Sequence, residues 1–233
     1  HVVIMGHRMP DMDALGAAVG ILKAVQLCNK EGYIVLEGIN PSIEKAMEMV
    51  NTDENVRRWF VTPEQALQMI TGQTLVVVVD THRASLTAEP RLLKPSRRVV
   101  VIDHHRRGGE FLNDAVLIYL EPYASSTCEL VTELLQYVTD KLSLTPAEAT
   151  ALLAGIAVDT KSFSQRTGVR TFEAASLLRR YGADMATIQQ FMQEDLQSYI
   201  AKAEIIKNAE VWFGHIAVAV ARQTCTQLLI AQV

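Results

Sequence analysis

Four apolar segments of this chain each end in an aspartate or in a combination of aspartate and histidine. The residues concerned are His7, Asp11 and Asp13, then Asp80, then Asp103, His104 and His105, and finally Asp159. Hard divalent cations prefer this ligand set, which joins carboxylate oxygens to some imidazole. Four separate segments that converge on one crevice would form a centre for two metal ions, as in two-metal hydrolases.

The residues of the first two segments are not equally well supported as metal ligands. Asp11 and Asp13 follow Pro10 in a loop that leads into a helix, so their carboxylates can diverge towards two cations; a helix cap is an equally favoured interpretation. Asp80 ends an all-valine strand, where a carboxylate is costly to desolvate unless it is paired or metal-bound. We predict that Asp80 bridges two metals, with a turn residue as the alternative, and that His82 lies at the surface or supports a ligand from behind.

The last two segments add imidazole and a fourth carboxylate position. Neighbouring side chains of an extended segment point to opposite faces, so one of His104 and His105 is expected to bind metal and the other to face substrate. Asp103 is expected to orient the ligating imidazole. Asp159 closes a very apolar helix, where the helix dipole disfavours a negative charge. A compensating cation near Asp159 is therefore favoured over an ordinary helix end.

Arginine residues provide candidate contacts for phosphate. Arg166 and Arg170 come shortly after the fourth segment, and the guanidinium fork suits phosphate oxygens. For either residue alone, a solvated basic loop is at least as well supported. Arg106 and Arg107 are predicted to be solvated, and residues 125–127 are predicted to cap a helix, whose N-terminus can also hold an anion.

The elements that must position these residues alternate between strand and helix. Short apolar runs predict strands at residues 2–5, 33–36, 75–79, 99–102 and 116–120, and stretches with helical periodicity lie between them. This alternation predicts an α/β fold with a doubly wound, mainly parallel sheet. Ligands of such sheets bind at the carboxyl ends of the strands, which is where the motifs lie. Gly16 is expected to let another element approach the first helix closely.

The predicted regions are a catalytic domain at residues 1–182, a linker helix at 183–207 and the incomplete beginning of a second α/β domain at 208–233. Two apolar runs around Gly214 predict a hairpin in the last region. The chain starts with His1 directly before a strand and stops at Val233 within a helix-like stretch, 226–231. We therefore expect a fragment of a longer protein.

Composition narrows the classes of function. Of the 233 residues, 49% are apolar and 21% are charged, which is ordinary for a globular protein. The formal net charge of -4 does not favour binding to long nucleic acid. Cys28, Cys128 and Cys225 have no zinc or disulfide spacing, which suits a reducing cytosol. The apolar runs are too short to span a bilayer, and no signal peptide is recognised.

In order and spacing, the four motifs resemble those of the DHH phosphoesterase superfamily. That pattern is His-x-x-x-Asp-x-Asp, an aspartate at a strand end, Asp-His-His, and an aspartate after a hydrophobic helix. The resemblance covers roughly residues 1–182. Within the superfamily, the GdpP-type cyclic-di-AMP phosphodiesterases are similar to this chain at residues 6–16, 80–83, 101–107, 121–126, 159–163 and 166–172.

The resemblance implies two Mn²⁺ ions, with Mg²⁺ or Co²⁺ as alternatives. It would place one ion on His7, Asp11 and Asp80, and the other on Asp13, Asp80, His104 and Asp159. The implied reaction is hydrolysis of cyclic-di-AMP to linear 5'-pApA in second-messenger signalling. The predicted catalytic residues are His105 and Asp103, and the predicted substrate contacts are His105, Arg166 and Arg170.

Relatives also imply what lies around this chain and which alternatives remain. Their Gly-Gly-Gly-His stretch, which helps to bind substrate, has no counterpart after Gly214. Their membrane helices would anchor the full-length protein at the cytoplasmic face of the cell membrane, although this fragment itself is expected to make no membrane contact, and a homodimer is a further expected partner. The alternatives are a nuclease for very short RNA or linear dinucleotides, a class II inorganic pyrophosphatase, and a module that senses nucleotides without turnover.

Overall fold

The computed structural model describes residues 1–52, 54–193 and 196–220. The chain divides into two compact units between Phe191 and Met192, and each is described by itself. The strands of the first unit are β1 (Val2–Met5), β2 (Gly32–Val35), β3 (Phe60–Val61), β4 (Leu75–Val79), β5 (Arg98–Asp103) and β6 (Leu117–Leu120). Its helices up to the unit boundary are α1 (Met12–Leu27), α2 (Glu44–Thr52), α3 (Glu54–Arg57), α4 (Pro63–Met69), α5 (Thr127–Val138), α6 (Pro146–Asp159), α7 (Val169–Arg180) and α8 (Met185–Met192).

The six strands form one parallel sheet in the order β3-β2-β1-β4-β5-β6. Connections run to one side of β1 first and then cross to β4, so the winding reverses between these two strands. Ligands of open parallel sheets bind in the crevice at such a reversal, beyond the carboxyl ends of the strands. The predicted motifs follow β1, β4 and β5 directly, and the sheet therefore brings them to this crevice.

Both faces of the sheet are covered, as the uninterrupted apolar runs predict for parallel strands. Along β1, Ile4 belongs to a core shared with α1, α5 and α6, whereas Val3 and Met5 pack on the opposite side with Ala66 of α4 and Leu92. All five of these side chains are fully buried. The predicted doubly wound α/β architecture is confirmed.

Two features differ from the sequence prediction, namely an additional strand and the start of the first helix. The strand β3 was not predicted, because two residues are too short to show a strand period; it pairs with β2 at the edge of the sheet. Helix α1 begins at Met12, directly after Asp11, because the Asp11 side chain caps it. Asp13 consequently lies in the first turn of the helix rather than in a loop.

The expected linker helix at 183–207 is formed as two helices, α8 and α9 (Leu196–Lys207), with Gln193 outside both. The first has its own start, since the Asp184 carboxylate accepts hydrogen bonds from the backbone N–H groups of Ala186 and Thr187. Its Ile188 is buried in the core of the first unit, which accounts for a separate short element.

The second unit contains the predicted hairpin. Its strands β7 (Glu210–Trp212) and β8 (Ile216–Val218) pair in antiparallel fashion, and Gly214 adopts a positive φ of 73° in the turn. The helix-like stretch 226–231 and Cys225 lie outside the described residues. Within the described part of the chain, the helices are all too short or too polar to cross a membrane.

Close packing between α1 and α6 generates a test of the fold. A Cβ atom at Gly16 would lie 2.4 Å from the backbone oxygen of Ala151 and 2.8 Å from Cys128 Sγ. Gly16→Ala should lower the free energy of unfolding by about 1–3 kcal/mol, because the helices must separate. Helix propensity alone favours alanine by about 1 kcal/mol, so the sign of the change identifies the cause.

The matched control for that change is Gly109→Ala. A Cβ atom at Gly109 meets nothing within 4 Å, so the same added methyl should change stability by less than about 0.5 kcal/mol. Urea unfolding monitored by circular dichroism measures both variants. Equal stability of the two would contradict the close approach of α1 and α6.

Candidate functional site

One group of candidate ligands combines His7, Asp11 and Asp80, each of which offers an atom within 4.8 Å of the others. Asp11 caps α1, since its Oδ1 accepts from the backbone N–H groups of Asp13 and Ala14, each at 3.0 Å. His7 Nε2 lies 3.7 Å from Asp11 Oδ1 and 3.3 Å from Asp80 Oδ2. The helix cap and the candidate ligand are therefore the same carboxylate, and the two interpretations of Asp11 do not exclude each other.

Asp80 is aimed by an unusual backbone conformation at the end of β4. Its φ of 59° is left-handed, a region that aspartate enters more readily than most residues. The backbone N–H of Asp80 donates to Ile102 O at 3.0 Å, and Thr127 Oγ1 donates to Asp80 Oδ1 at 3.0 Å. Oδ2 faces His7, so the two carboxylate oxygens are turned towards different neighbours. This geometry suits the predicted bridging position.

A second group combines Asp13, His104 and Asp159, which the chain brings together from α1, from the residues after β5 and from the end of α6. Asp13 is completely buried. Its Oδ2 accepts from Thr127 N at 2.7 Å and its Oδ1 from Cys128 N at 2.8 Å. The predicted cap at the start of α5 does hold an anion, because the first N–H groups of a helix favour negative charge. That anion is a side chain of the protein.

His104 has a buried nitrogen that faces carboxylates. His104 Nε2 lies 3.1 Å from Asp159 Oδ2, 3.6 Å from Asp80 Oδ1 and 3.8 Å from Asp13 Oδ2. None of these approaches has the geometry of a hydrogen bond, and within the described residues this nitrogen has no partner. Buried polar atoms are nearly always satisfied, so an imidazole nitrogen left among three carboxylates fits a cation ligand.

The charges of both groups also fit a bound cation. Burial, together with Asp80 and Asp159, raises the pKa of Asp13. Burial alone would lower the pKa of His7, but Asp11 and Asp80 outweigh it and raise the pKa to about 10. The pKa of His104 rises to about 9 against the effect of burial, because carboxylates surround it. The carboxylates raise the pKa values of these histidines because no other positive charge balances them. A divalent ion bound at the same place would supply that charge.

The Asp-His-His motif is arranged differently from the prediction. Asp103 Oδ1 accepts from the backbone N–H of His105 at 3.1 Å and lies 2.8 Å from His105 Nδ1. Asp103 thus orients His105, rather than the candidate ligand His104. Burial would raise the pKa of Asp103, yet these hydrogen bonds, aided by His82, hold it at about 2.

The two histidines of the motif also do not point to opposite faces. Their ring centroids are 4.6 Å apart, and His105 Nδ1 lies 3.6 Å from Asp80 Oδ1. The expectation failed because β5 ends at Asp103, so His104 and His105 are outside the extended segment. His105 remains about half exposed, with 56% of its side chain accessible, while His104 is buried.

The predicted arginine contacts separate into two cases. Arg170 donates from Nε and Nη2 to the carboxylate of Glu133, at 2.7 and 2.6 Å, and from Nη2 to the Tyr119 hydroxyl. This pairing links α7 to α5 and argues against a phosphate contact by Arg170. Arg166 is exposed on the turn after Asp159, with a left-handed φ of 52°.

A cleft of about 650 Å³ opens beside the first ligand group. His105 lines it, together with three exposed arginines, Arg8, Arg83 and Arg106. Arg106 had been predicted to be solvated, and the other two were not predicted at all. No local pattern marks them, because only the sheet brings their separate segments to one wall. His82 and Thr127 also contact the site carboxylates more directly than the sequence analysis predicts. For these two residues the sequence does hold a signal, since each lies within two residues of a motif or a helix cap.

Known proteins are similar to this chain over the region that contains most of these residues. Residues 1–156 match the sequence profile described as the DHH family, N-terminal domain. The chain is 51% identical over 221 residues to a cyclic-di-AMP phosphodiesterase, GdpP, of Bacillus subtilis, covering 94% of this chain and 34% of that protein. It is 44% identical over 220 residues to the cyclic-di-AMP phosphodiesterase PdeA of Listeria monocytogenes, again covering 94% of this chain and 34% of the relative. The chain therefore spans about a third of the length of these curated relatives.

A solved structure supports the fold independently. An exopolyphosphatase-related protein from Bacteroides fragilis superposes with a TM-score of 0.74 at 20% identity, covering 91% of this chain and 62% of the other. At that identity the likeness concerns the fold alone. The profile match covers more than half of the chain and includes every motif residue except Asp159. The chain belongs to the DHH family.

Proposed function

We propose that this chain carries the catalytic site of a two-metal phosphodiesterase that hydrolyses cyclic-di-AMP to linear 5'-pApA. The observation that carries the proposal is the pair of carboxylate–imidazole groups that meet at Asp80, at the carboxyl edge of a parallel sheet. Relatives of 44–51% identity are named cyclic-di-AMP phosphodiesterases, which favours this substrate.

In this proposal, His7, Asp11 and Asp80 hold one cation, and Asp13, Asp80, His104 and Asp159 hold the other. The four carboxylates balance the charge of two divalent ions. When bound, such ions supply positive charge to phosphate oxygens and lower the pKa of water. An oxygen-rich site with some imidazole suits Mn²⁺, with Mg²⁺ or Co²⁺ as alternatives.

The residues of the cleft would bind and orient the phosphodiester. Asp103 holds Nδ1 of His105, which leaves Nε2 as the ring nitrogen available to the scissile phosphate or to a proton in transfer. Arg8, Arg83 and Arg106 give the cleft a positive wall, and guanidinium groups suit phosphate oxygens. A volume of about 650 Å³ lies in the range of small-molecule sites.

The carboxylate of Asp80 provides the first test. Asp80→Asn keeps the size and the tolerance for a left-handed backbone but removes the charge shared by both groups. We expect turnover to fall by more than about 100-fold. Substitution of residues that only hydrogen-bond to metal ligands already costs up to about 100-fold, so the loss of a ligand itself should cost more. Product release from cyclic-di-AMP is followed by chromatography with Mn²⁺ and with EDTA.

The matched control carries the same chemical change elsewhere. Asp140→Asn alters an exposed aspartate beyond the C-terminal end of α5, whereas the N-terminal end of that helix contacts the site. This variant should keep full activity. Unchanged turnover in the Asp80 variant of a clean preparation would show that the two-metal assignment is wrong.

Substrate choice separates the remaining alternatives. We expect metal-dependent formation of pApA from cyclic-di-AMP to exceed the hydrolysis of linear pApA, of a short oligoribonucleotide and of pyrophosphate under the same conditions. Preference for the linear substrates would favour the short-RNA nuclease, and preference for pyrophosphate would favour the pyrophosphatase. Binding of cyclic-di-AMP without any metal-dependent loss would favour the sensing module.

Metal binding should release protons. With pKa values of about 10 and 9, His7 and His104 are protonated at pH 7 in the metal-free protein, and a cation binds only the neutral imidazole. Burial also raises the pKa of Asp13 and Asp80, so these carboxylates can add to the protons that the two imidazoles release. We therefore expect at least about one proton to be released per chain at pH 7, and the apparent affinity to rise as the pH is raised from 6 to 8. Calorimetric titration with Mn²⁺ in two buffers of different ionisation enthalpy measures the number.

Two histidine variants make this measurement specific. His7→Gln should reduce the number of protons released, while His215→Gln, in the exposed hairpin, should leave it unchanged. A heat of binding that does not depend on the buffer would contradict the assignment of these imidazoles as ligands.

A further inference from the structure

His82 is a buried histidine that belongs to none of the candidate ligand groups found among the described residues. It lies two residues after Asp80, with 2% of its surface accessible, and it also lines the cleft. A buried imidazole normally has partners for both ring nitrogens. His82 has them, and the partners lead towards His105.

The hydrogen bonds of His82 fix its tautomer. The backbone N–H of Gly108 donates to His82 Nε2 at 3.3 Å, so this nitrogen accepts. Nδ1 therefore carries the proton, and it lies 2.5 Å from Asp103 Oδ2. The other carboxylate oxygen, Asp103 Oδ1, faces His105 Nδ1 at 2.8 Å. One carboxylate is thus held between two imidazoles, one buried and one half exposed.

Packing holds the buried imidazole in place. The His82 ring lies against Phe111, with centroids 5.1 Å apart, and the guanidinium of Arg107 covers the same phenyl ring at 4.2 Å. The carbonyl of His82 accepts from the backbone N–H of Leu112 at 3.0 Å. Because its own surroundings are fixed, His82 can hold Asp103 in one orientation, and the carboxylate cannot turn without losing this bond.

We propose that His82 is a positioning residue that, through Asp103, fixes the orientation and the tautomer of His105 in the cleft. Its effect on turnover rests on the proposed function, whereas its effect on the His105 ring does not. Orienting groups behind an active imidazole contribute by keeping one ring nitrogen protonated and the other free. A positioning role predicts that a donor to Asp103 matters at this position and that an aromatic ring does not.

Two substitutions separate these contributions. His82→Asn places an amide N–H near the position of Nδ1 and removes the ring, whereas His82→Phe keeps a ring against Phe111 and removes the donor. We expect His82→Phe to lower kcat for cyclic-di-AMP by about 10–100-fold with little change in KM, and His82→Asn to restore most of the loss. The opposite order, with Phe tolerated and Asn damaging, would show that His82 acts only by packing.

A double-mutant cycle tests the route through His105. In a His105→Ala background, His82→Phe should cost no further activity, because the group that it orients is gone. Elemental analysis should find equal metal content in the His82→Phe variant and the unsubstituted chain. A fully additive loss, or loss of metal, would overturn the proposal.

Nitrogen NMR of the metal-free, ¹⁵N-histidine-labelled chain gives a readout that needs no turnover. Because the hydrogen bond to Asp103 raises the pKa of His105, the spectra are recorded at a pH high enough to make this ring neutral. The unsubstituted chain should then show a single His105 tautomer with its proton on Nδ1, and His82→Phe should lose this single tautomer. If the chain hydrolyses none of the phosphoesters offered, the proposed function fails while this measurement still decides the role of His82. Identical His105 signals in both proteins would overturn it.

Discussion

The organisation of the first unit, residues 1–191, depends on the burial of several carboxylates in one crevice. Asp13 is completely buried, and Asp80 is nearly so. Isolated charges in such positions are costly unless hydrogen bonds and opposite charge compensate them. The start of α5 supplies the hydrogen bonds, through two backbone N–H groups to Asp13 and the Thr127 hydroxyl to Asp80. Positive charge must come from protonated imidazoles or from bound cations, and this choice couples proton binding to metal binding.

The fold positions these groups by bringing strand ends and helix ends to the same place. The motifs after β1, β4 and β5 meet because parallel strands share a carboxyl edge, and α1 and α5 point their N-termini towards it. Close approach of α1 and α6 at Gly16 and Gly155 then brings Asp159 to the second group. A Cβ atom at Gly155 would lie 2.9 Å from Asp13 Cα. Helix packing and ligand placement are therefore a single constraint.

Sequence reasoning was strongest where a residue follows a clear pattern. The buried strands, the hairpin and the close approach at Gly16 were predicted because apolar periodicity and glycine chemistry are local signals. It failed for Asp103, whose partner is His105 and not His104, because the chain turns after β5 and the period of the strand no longer applies. It also missed Arg8 and Arg83, since a shared cleft wall is a property of the sheet order and has no local sign. The role of His82 depends on an unremarkable glycine, Gly108, which donates to it from another segment.

The left-handed backbone at Asp80 restricts which amino acids that position can carry without strain. Asparagine and glycine fit this conformation at least as well as aspartate, while branched and bulky residues do not. Of the residues that fit, aspartate alone carries a negative charge. Substitution by asparagine or glycine would thus leave the strand end and its crevice in place and remove only the carboxylate. A backbone angle, rather than the hydrophobic core, therefore decides which substitutions this candidate metal ligand accepts without strain.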